Sequence, residues 1–303
     1  MGLDLTTRIG RIALKNPVLA ASGTFGHARE FEPFYALEKL GGIVTKTVTL
    51  KPRLGNPPPR IVETPSGMLN AIGLQNPGVA KFIEEKLPYL RKIGIPIIVS
   101  VMGYSVEEFE AVVGVFEKAG GFDGYEMNLS CPNVSYGKRM FAHDATMIAK
   151  VVSAVRKKTK RTLIAKLGPD VSDIAAMALA AEGAGADAVS LINTFVAAAI
   201  DVKTRRFILA NKTGGLSGPC IRPIAVRMTW EAARAVKVPV VGIGGIMNGR
   251  DAVEFLIAGA SAVQVGTANF LNPNACQEII EGIQTFVRQE KIVSIKSMIG
   301  TVS

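Results

Sequence analysis

Histidine and cysteine are scarce in this chain of 303 residues, with two of the first and three of the second. Cys131, Cys220 and Cys276 lie too far apart to read as a disulfide framework or a metal cluster. His27 and His143 are too few and too distant in sequence for a Ser–His relay or a zinc site. No apolar run approaches the roughly 18 residues needed to span a bilayer. The opening Met-Gly-Leu-Asp-Leu-Thr-Thr-Arg also lacks the apolar core of a secretory leader. Basic residues are mostly scattered, with their densest cluster at 156–158 and 160–161, and none interleave with aromatics as on a nucleic-acid-binding face. These absences predict a soluble, cytoplasmic protein in a reducing compartment, with neither membrane nor nucleic acid as a partner.

What is present has a regular rhythm. Residues 3–14 alternate around Arg8-Ile9-Gly10-Arg11 and predict a small hairpin. Two short apolar strands follow, ending near Ala21-Ser22-Gly23 and Lys46-Thr47, with a helix expected over 28–40 between them. Six proline residues within 51–77 predict a long, mostly irregular loop. Further strand runs begin near Pro96, Phe122, Thr162, Ala188, Pro239 and Ala262, with helical patterns over 105–119, 144–158, 172–184, 223–236, 248–258 and 274–289. Runs that are apolar throughout, such as Ile97-Ile98-Val99, suit a parallel sheet covered on both faces. Eight such units predict an α/β fold, a TIM (β/α)8 barrel with extended loops over its C-terminal face. No linker divides it, so residues 1–303 are expected to form a single domain.

In such a barrel, the residues at the C-terminal ends of the strands converge. In chain order these are Ser22, Lys46-Thr47, Ser100, Asn128, Lys166, Asn193-Thr194, Gly244-Gly245 and Gly266-Thr267. Lysines, amides and small residues with almost no carboxylates suit a flat, anionic, hydrogen-bonding ligand rather than a divalent metal. The glycine turns after strands seven and eight read either as a phosphate grip or as plain tight turns. Gly214-Gly215-Leu216-Ser217-Gly218, in the loop after strand six, is placed to join them. Lysines ending apolar strands, as Lys46 and Lys166 do, either meet an anion or snorkel to solvent. The formal charge of +10 has the same two readings, anionic small molecules or a solubilising surface. Cys131 stands in a Ser-Cys-Pro-Asn turn just beyond a strand. It is either an inert thiol or a general base for an acidified proton, its ordinary pKa being about 8.5. Cys220 and Cys276 are assigned to packing.

The run Asn-Leu-Ser-Cys-Pro-Asn (128–133) resembles the hallmark of class 1 dihydroorotate dehydrogenases. Ala-Ser-Gly-Thr-Phe-Gly (21–26), the stretches 46–60 and 70–78, Ala-Lys-Leu (165–167), Ile-Asn-Thr (192–194), 214–219, Gly-Ile-Gly-Gly-Ile (242–246) and Val-Gly-Thr (265–267) resemble the family in the same order. The resemblance implies an FMN-dependent oxidation of dihydroorotate to orotate in pyrimidine synthesis, with Cys131 as the base at C5 and hydride leaving C6. It implies substrate contacts from Lys46, Asn70, Ala71, Ile72, Gly73, Leu74, Asn128, Asn193 and Thr194. FMN contacts are implied for Ser22, Lys46, Thr47, Asn128, Lys166, Ile192, Gly218, Gly244, Gly245, Gly266 and Thr267. Ser-Gly-Thr-Phe-Gly is most similar to class 1B catalytic subunits. These pass electrons to NAD+ through a partner subunit carrying FAD and a [2Fe–2S] cluster, in a heterotetramer built on a homodimer of catalytic chains. A fumarate-using homodimer, a dihydropyrimidine dehydrogenase and a non-catalytic phosphate-binding barrel are the alternatives. Ser100 departs from the pattern, which leads one to expect asparagine there.

Overall fold

A computed structural model describes residues 3–129, 135–136, 139–140 and 144–303. Eight parallel strands close into a barrel in chain order: β1 (Val18–Ala20), β2 (Gly42–Val44), β3 (Ile97–Val101), β4 (Gly124–Asn128), β5 (Thr162–Leu167), β6 (Ala188–Leu191), β7 (Val240–Ile243) and β8 (Ala260–Val265). Closure comes from β8 pairing with β1, Val263 opposite Val18. Both β3 and β5 are buried along their whole length, because helices cover the outer face and side chains fill the interior.

Six helices follow the last six strands: α1 (Val106–Ala119), α2 (Ala145–Lys158), α3 (Ile174–Gly183), α4 (Arg222–Ala235), α5 (Gly249–Ala258) and α6 (Ala275–Gln289). Their expected spans hold to within two residues at each end. Four begin with a side-chain cap written into the sequence: Ser105, Asp144, Asp173 and Asn248 each accept a hydrogen bond from a backbone N–H of the first turn. Each such cap is worth about 1 kcal/mol and sets where the helix starts relative to the barrel mouth.

Four expectations need correction, the last of them in the roof described below. The helix expected over 28–40 is two short 3-10 turns, Arg29–Phe31 and Leu37–Lys39, because Pro33 has no N–H to donate back into a continuing helix. An unexpected helical run follows β2, Gly78–Lys81 leading through a π-helical stretch, Phe82–Lys86, into Leu87–Lys92. The π stretch lies just before Pro88, which leaves a gap in the ordinary bonding ladder. The loop 51–77 is not irregular throughout, since it holds the strands Ile61–Thr64 and Gly67–Asn70.

Those two strands join Thr213–Ser217 and Phe195–Ala198 in an antiparallel sheet, Gly215 opposite Asn70 and Phe195 opposite Leu216. The glycine-rich segment after β6 is therefore a strand rather than a loop. This sheet ties the excursions after β2 and β6 together as a roof. The opposite end is stoppered by the expected hairpin, Thr7–Ile9 with Ile12–Leu14. Its turn needs glycine: Gly10 has φ +53°, and a Cβ there would come within 2.9 Å of Asp187 and Thr162. Ile9, Ile12 and Leu14 pack onto Leu19, Val44, Ile98, Ile164, Ala188, Val241 and Ala262 inside the barrel.

Candidate active site

Between the strand ends and the roof lies a cavity of about 830 Å³. Apart from Cys131, every residue for which the resemblance implies a substrate or FMN contact lines it: Ser22, Lys46, Thr47, Asn70 to Leu74, Asn128, Lys166, Ile192 to Thr194, Gly218, Gly244, Gly245, Gly266 and Thr267. Cys131 lies outside the described residues, as does His143.

The amide side is fixed by short links. Asn193 Nδ2 donates to Asn128 Oδ1 at 3.3 Å, and Asn193 Oδ1 accepts from the Thr194 N–H at 2.9 Å, so two strand ends are held as one unit. On the roof, Asn70 Nδ2 donates to the Gly215 carbonyl at 3.3 Å. The turn 71–76 is pinned from both ends. Asn56 donates to the Ala71 carbonyl at 3.0 Å, and Asn76 donates to the Leu74 carbonyl at 2.7 Å while accepting from the Thr49 and Gly78 N–H groups. Residues 71–74 are thereby held along the cavity wall.

The hydroxyl side is a relay. Ser22 and Thr47 lie 3.2 Å apart, and Thr47 is bonded to Ser100 at 2.9 Å. Ser100 is fully buried and braces Thr47 from behind rather than lining the cavity. Across the mouth, Thr267 Oγ1 donates to Ser217 Oγ at 2.8 Å.

The glycines divide into two kinds. Gly244 (φ +135°) and Gly245 (φ +70°) are needed by the turn itself, since a Cβ would press on Ala225 or on Arg222 and the Gly218 carbonyl. Asp251 holds this turn by accepting from the Met247 N–H at 2.9 Å and pairing with Arg222. Gly266 has no such constraint: a Cβ there would meet nothing nearer than Ala21 at 3.7 Å. The space above Gly266 is open to a ligand.

The two lysines are not equivalent. Lys166 is buried and faces Glu126 at 3.4 Å, whereas Lys46 is half-buried with no carboxylate paired to it among the described residues. Burial, and then the charge of Arg60, hold the Lys46 ammonium below its usual pKa. An unpaired, partly desolvated cation is a ready partner for an anionic ligand. His27 is lowered too, chiefly by burial. Cys276 is buried and its thiol is pushed up to about 12, so it is inert packing, as expected. Cys220 is exposed, which corrects its assignment to packing.

Several lining or supporting residues escaped the sequence reading: Asn56, Met68 and Phe270 at the cavity, and Glu126, Ser190 and Gln264 beneath it. For Glu126 a signal existed. In Tyr125-Glu126-Met127-Asn128 the polar residues alternate with the apolar ones, so Glu126 shares the inward face with Asn128. Phe270 carried none, because only the short turn after β8 brings it in. Among the described residues, no group of three His, Cys, Asp or Glu side chains is placed to hold a metal ion. No helix among them is long and apolar enough to cross a membrane.

The family model described as dihydroorotate dehydrogenase matches residues 4–287. The chain is 53% identical over 297 residues to the "Dihydroorotate dehydrogenase B (NAD(+)), catalytic subunit" of Geotalea uraniireducens, covering 98% of this chain and 97% of that one. It is 54% identical over 296 residues to the protein of the same name from Trichlorobacter lovleyi, with the same coverage.

Proposed function

The chain belongs to the dihydroorotate dehydrogenase family, and on that premise we propose that it oxidises (S)-dihydroorotate to orotate in pyrimidine (UMP) biosynthesis. The observation that carries the reading is the convergence of Lys46, Asn70, Asn128, Lys166, Asn193 and Thr194 on one roofed cavity at the strand ends. The family is one of flavoproteins, and the cavity's donors suit FMN: a buried cation, paired amides and hydroxyls, glycine turns, and open space above Gly266. Bound there, FMN supplies the acceptor for hydride from C6 of the substrate.

The chain's own residues do the rest. Cys131 takes the proton from C5, which a neighbouring carbonyl already acidifies, so a thiol of ordinary pKa suffices. Lys46 meets the substrate carboxylate. Asn70, Asn128, Asn193 and Thr194, with the backbone of 71–74, hold the ring amides and fix the face from which the proton leaves. Ser22, Thr47, Ile192, Gly218, Gly244, Gly245, Gly266 and Thr267 hold the cofactor. Lys166 would hold the cofactor as well, and a cation beside the ring would favour its reduced, anionic form. The roof keeps water from the reacting carbons.

The names of the relatives support electron delivery to NAD+ through a second subunit. That partner carries FAD and [2Fe–2S], since three scattered cysteines cannot hold a cluster. Two catalytic chains pair within a heterotetramer in the cytoplasm, each chain forming one FMN-binding domain over 1–303.

Anaerobic addition of dihydroorotate to the chain reconstituted with FMN tests the reading. Bleaching of the flavin absorbance is the expected result, and an unbleached flavin overturns the assignment. Fumarate reduction by the isolated chain would reassign the acceptor while leaving the oxidation intact.

A further inference from the structure

The barrel interior beneath the cavity is not an apolar layer. At the closed end Ile164, Ala188 and Ala262 face inward; two residues further along β5, β6 and β8 the inward positions are Lys166, Ser190 and Gln264. On β4, Glu126 stands in register with Ile164. Glu126 is fully buried and does not line the cavity. Its Oε2 accepts from Ser190 Oγ at 3.0 Å and from Gln264 Nε2 at 2.5 Å, while Oε1 lies 3.4 Å from the Lys166 ammonium. Three strands thus hold one carboxylate directly behind the cation that does line the cavity. Branched apolar side chains are the usual filling of such a layer, and a buried ion pair offers little net stability over them.

We propose that Glu126 is a positioning residue for the cofactor: it aims the Lys166 ammonium into the cavity and offsets part of its charge, which sets how strongly reduced FMN is favoured over oxidised FMN. The inference rests on the reading that FMN occupies this cavity. Ser190 and Gln264 hold the carboxylate at a fixed distance, so the field reaching the flavin is set by three strands of the barrel rather than by a mobile side chain.

Glu126→Gln keeps the shape and removes the charge. At pH 6, by dye equilibration of the FMN-loaded chain, the ratio of affinities for reduced over oxidised FMN is expected to rise about tenfold, about 30 mV for a two-electron couple. In a Lys166→Met background, with no ammonium left to aim, the same substitution is expected to give a clearly smaller shift, the carboxylate's own field alone. An unshifted potential in Glu126→Gln overturns the proposal. So does a shift of undiminished size without Lys166, since the carboxylate would then not act through the lysine. Should Glu126→Gln fail to fold, Ser190→Ala serves: losing one donor concentrates charge on the carboxylate, and a smaller shift of opposite sign is expected, with no shift overturning the idea. Quenching of FMN fluorescence by the wild-type chain separates the two levels. No binding overturns the cofactor reading and this inference together, whereas binding with an unshifted variant overturns this inference alone.

Discussion

At the closed end of the barrel, Ile9, Ile12 and Leu14 of the N-terminal hairpin fill the interior against seven apolar strand residues. At the open end the same strands present lysines, amides, hydroxyls and bare glycine backbone to a cavity of about 830 Å³. The stopper buries Ile9, Ile12 and Leu14, whereas the roof leaves Val196 and Ile61 about half exposed. The difference teaches where each kind of change is felt. Substitutions at the closed end act on folding, because packing is all that those residues do. Substitutions at the mouth act on ligands, because much of what faces the cavity is placed by the strands behind it.

The sharpest test of this division is Cys131→Ala. Flavin retention and melting temperature are expected to stay near wild type while turnover falls roughly 10² to 10⁴-fold, the usual loss of a general base. Undiminished turnover in a steady-state assay would remove Cys131 from the mechanism. At the other end, Leu14→Ala is expected to cost about 2–5 kcal/mol in urea denaturation, since Leu14 is 1% exposed inside the stopper. FMN affinity per folded molecule should not move; a matching loss of affinity would break the comparison.

Gly266→Ala sharpens it from the mouth. The backbone there is not left-handed and the new methyl meets nothing within 3.7 Å, so stability should hold. FMN titration is expected to show about 1–3 kcal/mol of lost affinity from crowding. Equal affinity would mean that the cofactor does not lie over Gly266.

The smallest effect expected is the pH dependence of orotate binding. Burial and Arg60 lower the Lys46 pKa, so the side chain is charged below that lowered value and neutral above it. Affinity for the anion should therefore fall as pH rises through it, below the usual lysine range, by roughly tenfold for a charged hydrogen bond. Lys46→Met is expected to bind orotate weakly with a flat profile. A wild-type profile that is flat from pH 7 to 10 would detach Lys46 from the carboxylate.

Most of the barrel could be read from residue order alone. Short continuous apolar runs, glycines at the turns and capping residues such as Ser105 and Asn248 are local signals, and local signals survive without coordinates. Pro33 is just as local a signal: with no N–H to donate, it divides the stretch 28–40 into two short turns. The roof was hidden for another reason. Its four strands come from two segments about 125 residues apart, and prolines in 51–77 masked the pairing that tertiary contact imposes.

The site divides in the same way. By itself the sequence determined which residues end the strands and so point toward the mouth, because strand direction and alternation are properties of the chain. It determined too that Lys46 and Lys166 sit where a bare charge is costly. Only the tertiary structure decided that they differ, Lys166 buried against Glu126 with Ser190 and Gln264 behind the carboxylate, Lys46 left facing Arg60. The reason is physical: whether a buried charge is paired depends on distances between strands far apart in the chain, and those distances are set only when the barrel closes.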